Sequence, residues 1–107
     1  MHWSSYHSVY KVTDRENGYV LEAEKLNTSV VKEYDLKKGD TIGLLINCKT
    51  GHLHLDVTQK GKESVFSGDF YDTYENGPHT IEVQEDGHYL IEIDGRHLLG
   101  DVEVTIK

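Results

Sequence analysis

The fold class is decided by the stretch Gly51-His52-Leu53-His54-Leu55-Asp56-Val57-Thr58, in which polar and apolar residues alternate without interruption. In an extended chain, successive side chains point to opposite faces, so the leucines and the valine share one face. The two histidines and the aspartate share the other. Alternation at period two predicts a half-buried β-strand with a polar outer face.

Similar patterns recur along the chain and predict a series of strands. They lie at residues 6–13, 19–26, 30–36, 41–48, 64–66, 80–84, 88–94 and 101–106. Turn-forming residues separate them, including Asn17-Gly18, Thr50-Gly51 and Asp94-Gly95. About eight or nine short strands predict an all-β fold: a two-sheet antiparallel sandwich, jelly-roll-like, with an immunoglobulin-like topology as the alternative. Residues 22–26 have helix-forming composition inside one of these segments.

The alternation also predicts which side chains form the core. They are the apolar residues on the inward face of the central strands: Ile42, Leu44, Ile46, Leu53, Leu55, Val57, Ile81, Val83, Tyr89, Ile91, Ile93, Val102 and Val104.

Cys48 is the single cysteine, so no disulfide forms within the chain. It follows an apolar run, and its sequence context gives no clear reason for a lowered thiol pKa, which predicts a partly buried, unreactive thiol.

Composition indicates a folded acidic chain. With 107 residues, 36% hydrophobic and 28% charged, we predict one domain over residues 1–107. No apolar stretch is long enough for a transmembrane helix, which needs about 20 apolar residues. Lys and Arg number 11 against 19 Asp and Glu, a formal net charge of −8. This charge argues against nucleic acid as a partner, because phosphate binding requires basic surface.

Four short motifs carry a family resemblance over residues 28–107. They are Tyr34-x-Leu36-x-Lys38-Gly39-Asp40-x-Ile42, Gly51-x-Leu53-x-Leu55-x-Val57, Asp86-Gly87-x-Tyr89-x-Ile91-x-Ile93 and Gly100-x-Val102-x-Val104. Together they resemble the small β-sandwich domains of secreted bacterial proteins and lipoproteins, including the pre-peptidase C-terminal type. The resemblance implies an extracellular or cell-envelope setting and an accessory or adhesive role. It implies no catalytic residues.

His52, His54 and Asp56 lie on one face of the predicted strand. Two imidazoles and a carboxylate at this spacing are candidate metal ligands, with His79 and His88 as candidates for further ligands from neighbouring strands. The alternative is a solvated face whose polar residues follow from strand alternation alone. We favour the solvated face and therefore predict no cofactor. A metal site is the alternative.

Residues 67–78 form the longest stretch without strand alternation and predict an irregular loop. The loop carries Phe70, Tyr71 and Tyr74 among acidic residues. Exposed aromatic side chains on loops stack on sugar rings or anchor partners, so these three are the candidate binding residues. One alternative has Phe70 and Tyr74 folding back over the open end of the sandwich while Tyr71 stays exposed. Another is calcium binding by the loop carboxylates, although they lack EF-hand spacing.

Motifs for catalysis are missing from the sequence. It has no Gly-x-Ser-x-Gly, no glycine-rich phosphate loop and no His-Glu-x-x-His. We therefore predict a non-catalytic binding module of the bacterial cell surface or secreted fraction, with a protein or a glycan as its partner. Two other functions stay open: a metal-binding domain that uses the His52 and His54 face, and a purely structural spacer domain.

Overall fold

The structure, a computed structural model, describes residues 8–107 apart from the side chains of residues 76 and 77. Seven strands occupy this range, and every pairing between them is antiparallel. They are β1 (Val9–Arg15), β2 (Gly18–Leu26), β3 (Ser29–Leu36), β4 (Thr41–Gln59), β5 (Ser64–Phe70), β6 (Tyr74–Glu82) and β7 (Gly87–Ile106). None of the described residues forms a helix able to cross a membrane.

The two long strands β4 and β7 form the centre of the fold. They pair along their whole length, from Ile42 opposite Ile106 to Gln59 opposite Tyr89. The register shifts on either side of Thr50, and there the buried positions of β4 change from even-numbered to odd-numbered. A β-bulge changes the numbering of the inward positions in this way, because it inserts one extra residue into the strand without reversing the chain. Both halves of β4 therefore keep their apolar side chains toward the core.

The bend divides the strands into two layers. The first layer contains β1, β2, the second half of β7, the first half of β4, and β6. The second layer contains β3, the first half of β7, the second half of β4, and β5. Their apolar faces form one core, which confirms the predicted all-β, jelly-roll-like antiparallel sandwich.

The predicted core is buried with one exception. Ile81 is half-buried on β6, where it packs against the core from an edge strand. The core also contains residues that the alternation did not select: Tyr19, Leu21, Ala23, Leu26, Leu36, Cys48, Phe70 and Leu98. Cys48 is fully buried and has no disulfide partner.

Strand number and continuity differ from the prediction. Residues 41–48 and 51–58 belong to one strand, as do residues 88–94 and 101–106. The turn-forming pairs between them produce bends in continuous strands instead of chain reversals. Residues 22–26 lie in β2 despite their helix-forming composition, because pairing with β1 and β7 decides their conformation. The strand predicted at 6–13 corresponds to β1, and its first two residues lie outside the described range.

The prediction of an irregular loop at residues 67–78 is wrong. β5 continues to Phe70 and β6 begins at Tyr74, so three residues separate the strands. Among the described strands, each of these two pairs with β4 alone and is therefore an edge strand. Edge strands tolerate residues that interrupt a central strand, which explains how Pro78 lies in β6 opposite Leu45.

Candidate functional site

The outer face of the second layer carries both predicted histidines. His52 and His54 flank the fully buried Leu53 on β4, so the packing of the sandwich directs both imidazoles outward. The strand register places His54 between Asp94 on β7 and Asp69 on β5. Four strands thus bring together side chains that are far apart in sequence.

These side chains line a groove of about 1230 Å³, called the histidine groove below. A row of four side chains runs across it, one from each strand of the layer: Ser29, Asp94, His54 and Asp69. Since neighbouring strands lie about 4.8 Å apart, the row spans roughly 14 Å. The other lining residues are Asn27, Thr28, His52, Gly95, Arg96 and His97.

Asp69 joins the two imidazoles. Its Oδ1 atom lies 2.8 Å from His52 Nε2 and 2.9 Å from His54 Nδ1. Hydrogen bonds from His52 and His54 hold the pKa of the Asp69 carboxyl below its usual range. The hydrogen bond to Asp69 raises the pKa of His54, with further support from Asp56 and Asp94. The His54 ring therefore keeps its proton to a higher pH than an unperturbed histidine.

Tyr71 stands at the rim of the histidine groove. Its side chain is 60% exposed, and its ring stacks on His52 with centroids 4.6 Å apart and planes 5° apart. The turn that carries it is bound to the bend of β4, because Asp72 accepts a hydrogen bond of 2.9 Å from the Gly51 amide. One face of the Tyr71 ring contacts His52, and more than half of the side chain stays exposed to solvent.

Phe70 and Tyr74 lie elsewhere. Phe70 is buried, and its ring centroid lies 4.7 Å from that of the half-buried Tyr74. The Tyr74 hydroxyl and His79 Nε2 form a hydrogen bond of 2.9 Å, and Phe66 also contacts His79. This aromatic cluster lies where β5 of one layer meets β6 of the other, so packing explains both residues. Of the three predicted binding residues, the structure places Tyr71 beside the groove.

The further residues named for a metal site do not complete one with His52 and His54. Asp56 shares the outer face but accepts a hydrogen bond of 2.5 Å from Ser64. His79 lies in the aromatic cluster, and His88 lies between Asp35 and Glu33. Across residues 8–107 no three His, Cys, Asp or Glu side chains are arranged to hold a metal ion.

Asp94 and Arg96 belong to the groove although the sequence pattern did not select them, and Asp69 was considered only as one of the loop carboxylates for calcium binding. Asp69 fell within the predicted loop, and the other two became relevant only through the pairing of β7 with β4. Alternation places Asp94 on a polar face, but it does not say which strand lies next to it. Glu92 lies two residues before Asp94 on the same face, where burial and the nearby Asp94 raise the pKa of its carboxyl.

Comparison with known proteins gives matches to solved structures. No family model matches the sequence, and none of the curated proteins does. A periplasmic inhibitor of g-type lysozyme from Aeromonas hydrophila matches with a TM-score of 0.56 and 13% identity, covering 100% of this chain and 93% of that one. A CBM4 structure matches with a TM-score of 0.53 and 16% identity, covering 94% of this chain and 78% of that one. At these identities, the likeness shows that the chain has a β-sandwich fold.

Proposed function

We propose that this protein is a non-catalytic binding module that binds a glycan in the histidine groove. The observation that carries the proposal is the Tyr71 ring, which stacks on His52 at the rim of a polar groove while its side chain stays largely exposed. An aromatic face offers a sugar ring an apolar platform. The polar side chains beside it can bind the hydroxyl groups of the sugar.

The chemistry of the groove suits hydroxyl groups. Asp69 and Asp94 supply carboxylate acceptors, while the Arg96 guanidinium supplies N–H donors. A sugar hydroxyl both donates and accepts, so it can use both kinds of group. Because most of these side chains stand on paired strands, they lose little freedom when a ligand binds.

The setting we propose is extracellular or in the bacterial cell envelope. The resemblance to small β-sandwich domains of secreted proteins and lipoproteins, of which the pre-peptidase C-terminal domains are one type, supports this setting. The two structural neighbours, a periplasmic inhibitor and a carbohydrate-binding module of the CBM4 type, are consistent with a binding role without catalysis. We base the proposed function on the groove, because fold likeness alone does not determine function.

We expect Tyr71→Ser to weaken glycan binding by about tenfold or more while leaving the melting temperature nearly unchanged. The side chain is largely exposed, so it contributes little to folding but forms most of the apolar platform. Affinity electrophoresis through gels that contain soluble β-glucan, xylan or galactan measures the binding. Tyr71 is replaced alone and Tyr74 is kept, because the Tyr74 hydroxyl forms a hydrogen bond with His79 inside the aromatic cluster.

Tyr10→Ser is the matched control. Tyr10 is also exposed, at 43%, but lies on β1 in the first layer. The Tyr10→Ser variant should be retarded in the polysaccharide gel as strongly as the wild-type protein. Equal retardation of Tyr71→Ser and Tyr10→Ser would contradict the groove as the binding site. A wild-type protein that no polysaccharide in the panel retards would contradict glycan binding itself.

A cationic protein partner is the second candidate function. The chain has a formal net charge of −8, and the outer face of the second layer carries more carboxylates than cations. Such a surface attracts a basic partner, and exposed Tyr71 would serve as an anchor at the interface. Salt separates the two candidates. Binding through stacking and neutral hydrogen bonds persists in about 0.5 M NaCl, whereas charge-driven protein binding weakens.

A further inference from the structure

We infer that Asp69 is the positioning residue of the histidine groove: it fixes which ring nitrogen of His52 and of His54 carries the proton, and so makes glycan binding depend on pH. The inference rests on the proposed function for its ligand. Its geometric part concerns the free protein and can be tested without a ligand.

The geometry determines the two tautomers. One oxygen of Asp69 contacts Nε2 of His52 and Nδ1 of His54. An ionised carboxylate only accepts hydrogen bonds, so each neutral ring must place its single proton on the nitrogen that faces Asp69. The two histidines are therefore opposite tautomers, Nε2–H in His52 and Nδ1–H in His54. The second nitrogen of each neutral ring is then an acceptor.

The surroundings of His54 favour its protonated form. Charged and polar groups reach this part of the face from all four strands of the second layer: Asp56 on β4, Asp69 on β5, Glu92 and Asp94 on β7, Arg96 opposite His52, and Ser29, which donates a hydrogen bond to Asp94. Carboxylates outnumber cations here, and Asp69 makes the direct hydrogen bond. Protonation therefore strengthens an existing contact without requiring a rearrangement.

Protonation changes what the groove offers to a sugar. A protonated ring gains an N–H on its second nitrogen, so an acceptor becomes a charged donor. Hydrogen bonds from charged donors are roughly twice as strong as neutral ones. A neutral glycan should therefore bind more tightly below the pKa of His54, which Asp69 raises, and lose affinity as pH rises through that value.

The first experiment is a pH titration of the histidine ring nitrogens of the full chain by 15N NMR, without ligand. We expect wild-type His54 to show the Nδ1–H tautomer and His52 the Nε2–H tautomer. In Asp69→Asn, His54 should lose its tautomer preference and titrate at lower pH. The matched control is Asp35→Asn, which removes a carboxylate from His88 and should leave His52 and His54 unchanged.

The second experiment repeats the gel assay with the neutral polysaccharide that retards the wild type. As pH falls from about 8 to about 5.5, wild-type affinity should rise by about threefold or more, and in Asp69→Asn this rise should shift to lower pH. A wild-type His54 in the Nε2–H form, or the same pH profile in Asp69→Asn, would overturn the inference. The NMR experiment could show the expected tautomers while no polysaccharide retards the wild-type protein. That result would support the positioning role of Asp69 and overturn the proposed function.

Discussion

Gly51→Ala is expected to cost about 4 kcal/mol or more of unfolding free energy, close to the whole stability of a marginal domain. Gly51 lies at the bend of β4 with φ of +91°. A Cβ atom there would lie 2.2 Å from the carbonyl oxygen of His97 and 2.7 Å from that of Arg96. Both oxygens belong to the backbone of β7, so they cannot move without breaking the pairing that joins the two layers. Urea denaturation followed by circular dichroism measures the loss.

Gly61→Ala separates this steric clash from backbone strain. Gly61 has φ of +80° in the turn after β4, and no described atom lies within 4 Å of a Cβ placed there. Only the strain of a left-handed conformation remains, which costs about 1 kcal/mol. If both variants lose the same stability, β4 and β7 do not approach closely at the bend.

Leu55→Ala is expected to cost about 2–5 kcal/mol. Leu55 is fully buried on β4, between Ile93 of β7 and Gly68 of β5. Truncation removes apolar contacts and leaves a cavity that paired strands on both sides cannot close. The loss is a large share of the roughly 5–15 kcal/mol that stabilises a small domain. Thermal and urea denaturation should both show it.

Leu99→Ala provides the matched control for Leu55→Ala. Leu99 is 38% exposed on β7, so its truncation leaves no closed cavity, and we expect a cost below about 1 kcal/mol. A Leu55→Ala variant that unfolds at the same urea concentration as Leu99→Ala would mean that the inward and outward faces of β4 are assigned wrongly.

Strand positions and faces were predictable from the sequence, whereas strand continuity was not. Alternation identified the inward face at Leu53, Leu55 and Val57 because side-chain direction follows a fixed period. At Thr50-Gly51, the same residue types that form turns also form bulges. Whether the chain reverses there depends on the partner strand β7, which lies far away in sequence.

The candidate site was predictable only in part, for the same reason. His52 and His54 are local to one strand, and alternation placed them on the outer face. Their contact with Asp69 requires the register of β4 against β5, which one strand cannot specify. The exposure of Tyr71 and the burial of Phe70 agree with one sequence-based alternative, while the binding role of all three aromatic residues stays a prediction.

The most direct test of glycan binding in the histidine groove is an amide NMR titration of the wild-type protein. The ligand is an oligosaccharide of the polysaccharide that retards the protein in gels. We expect the largest chemical-shift changes at His52, Tyr71, Asp94 and Arg96 on the outer face of the second layer. Changes confined to the first layer, or to the cavity of about 610 Å³ beside Val65 and Ile81, would contradict this account.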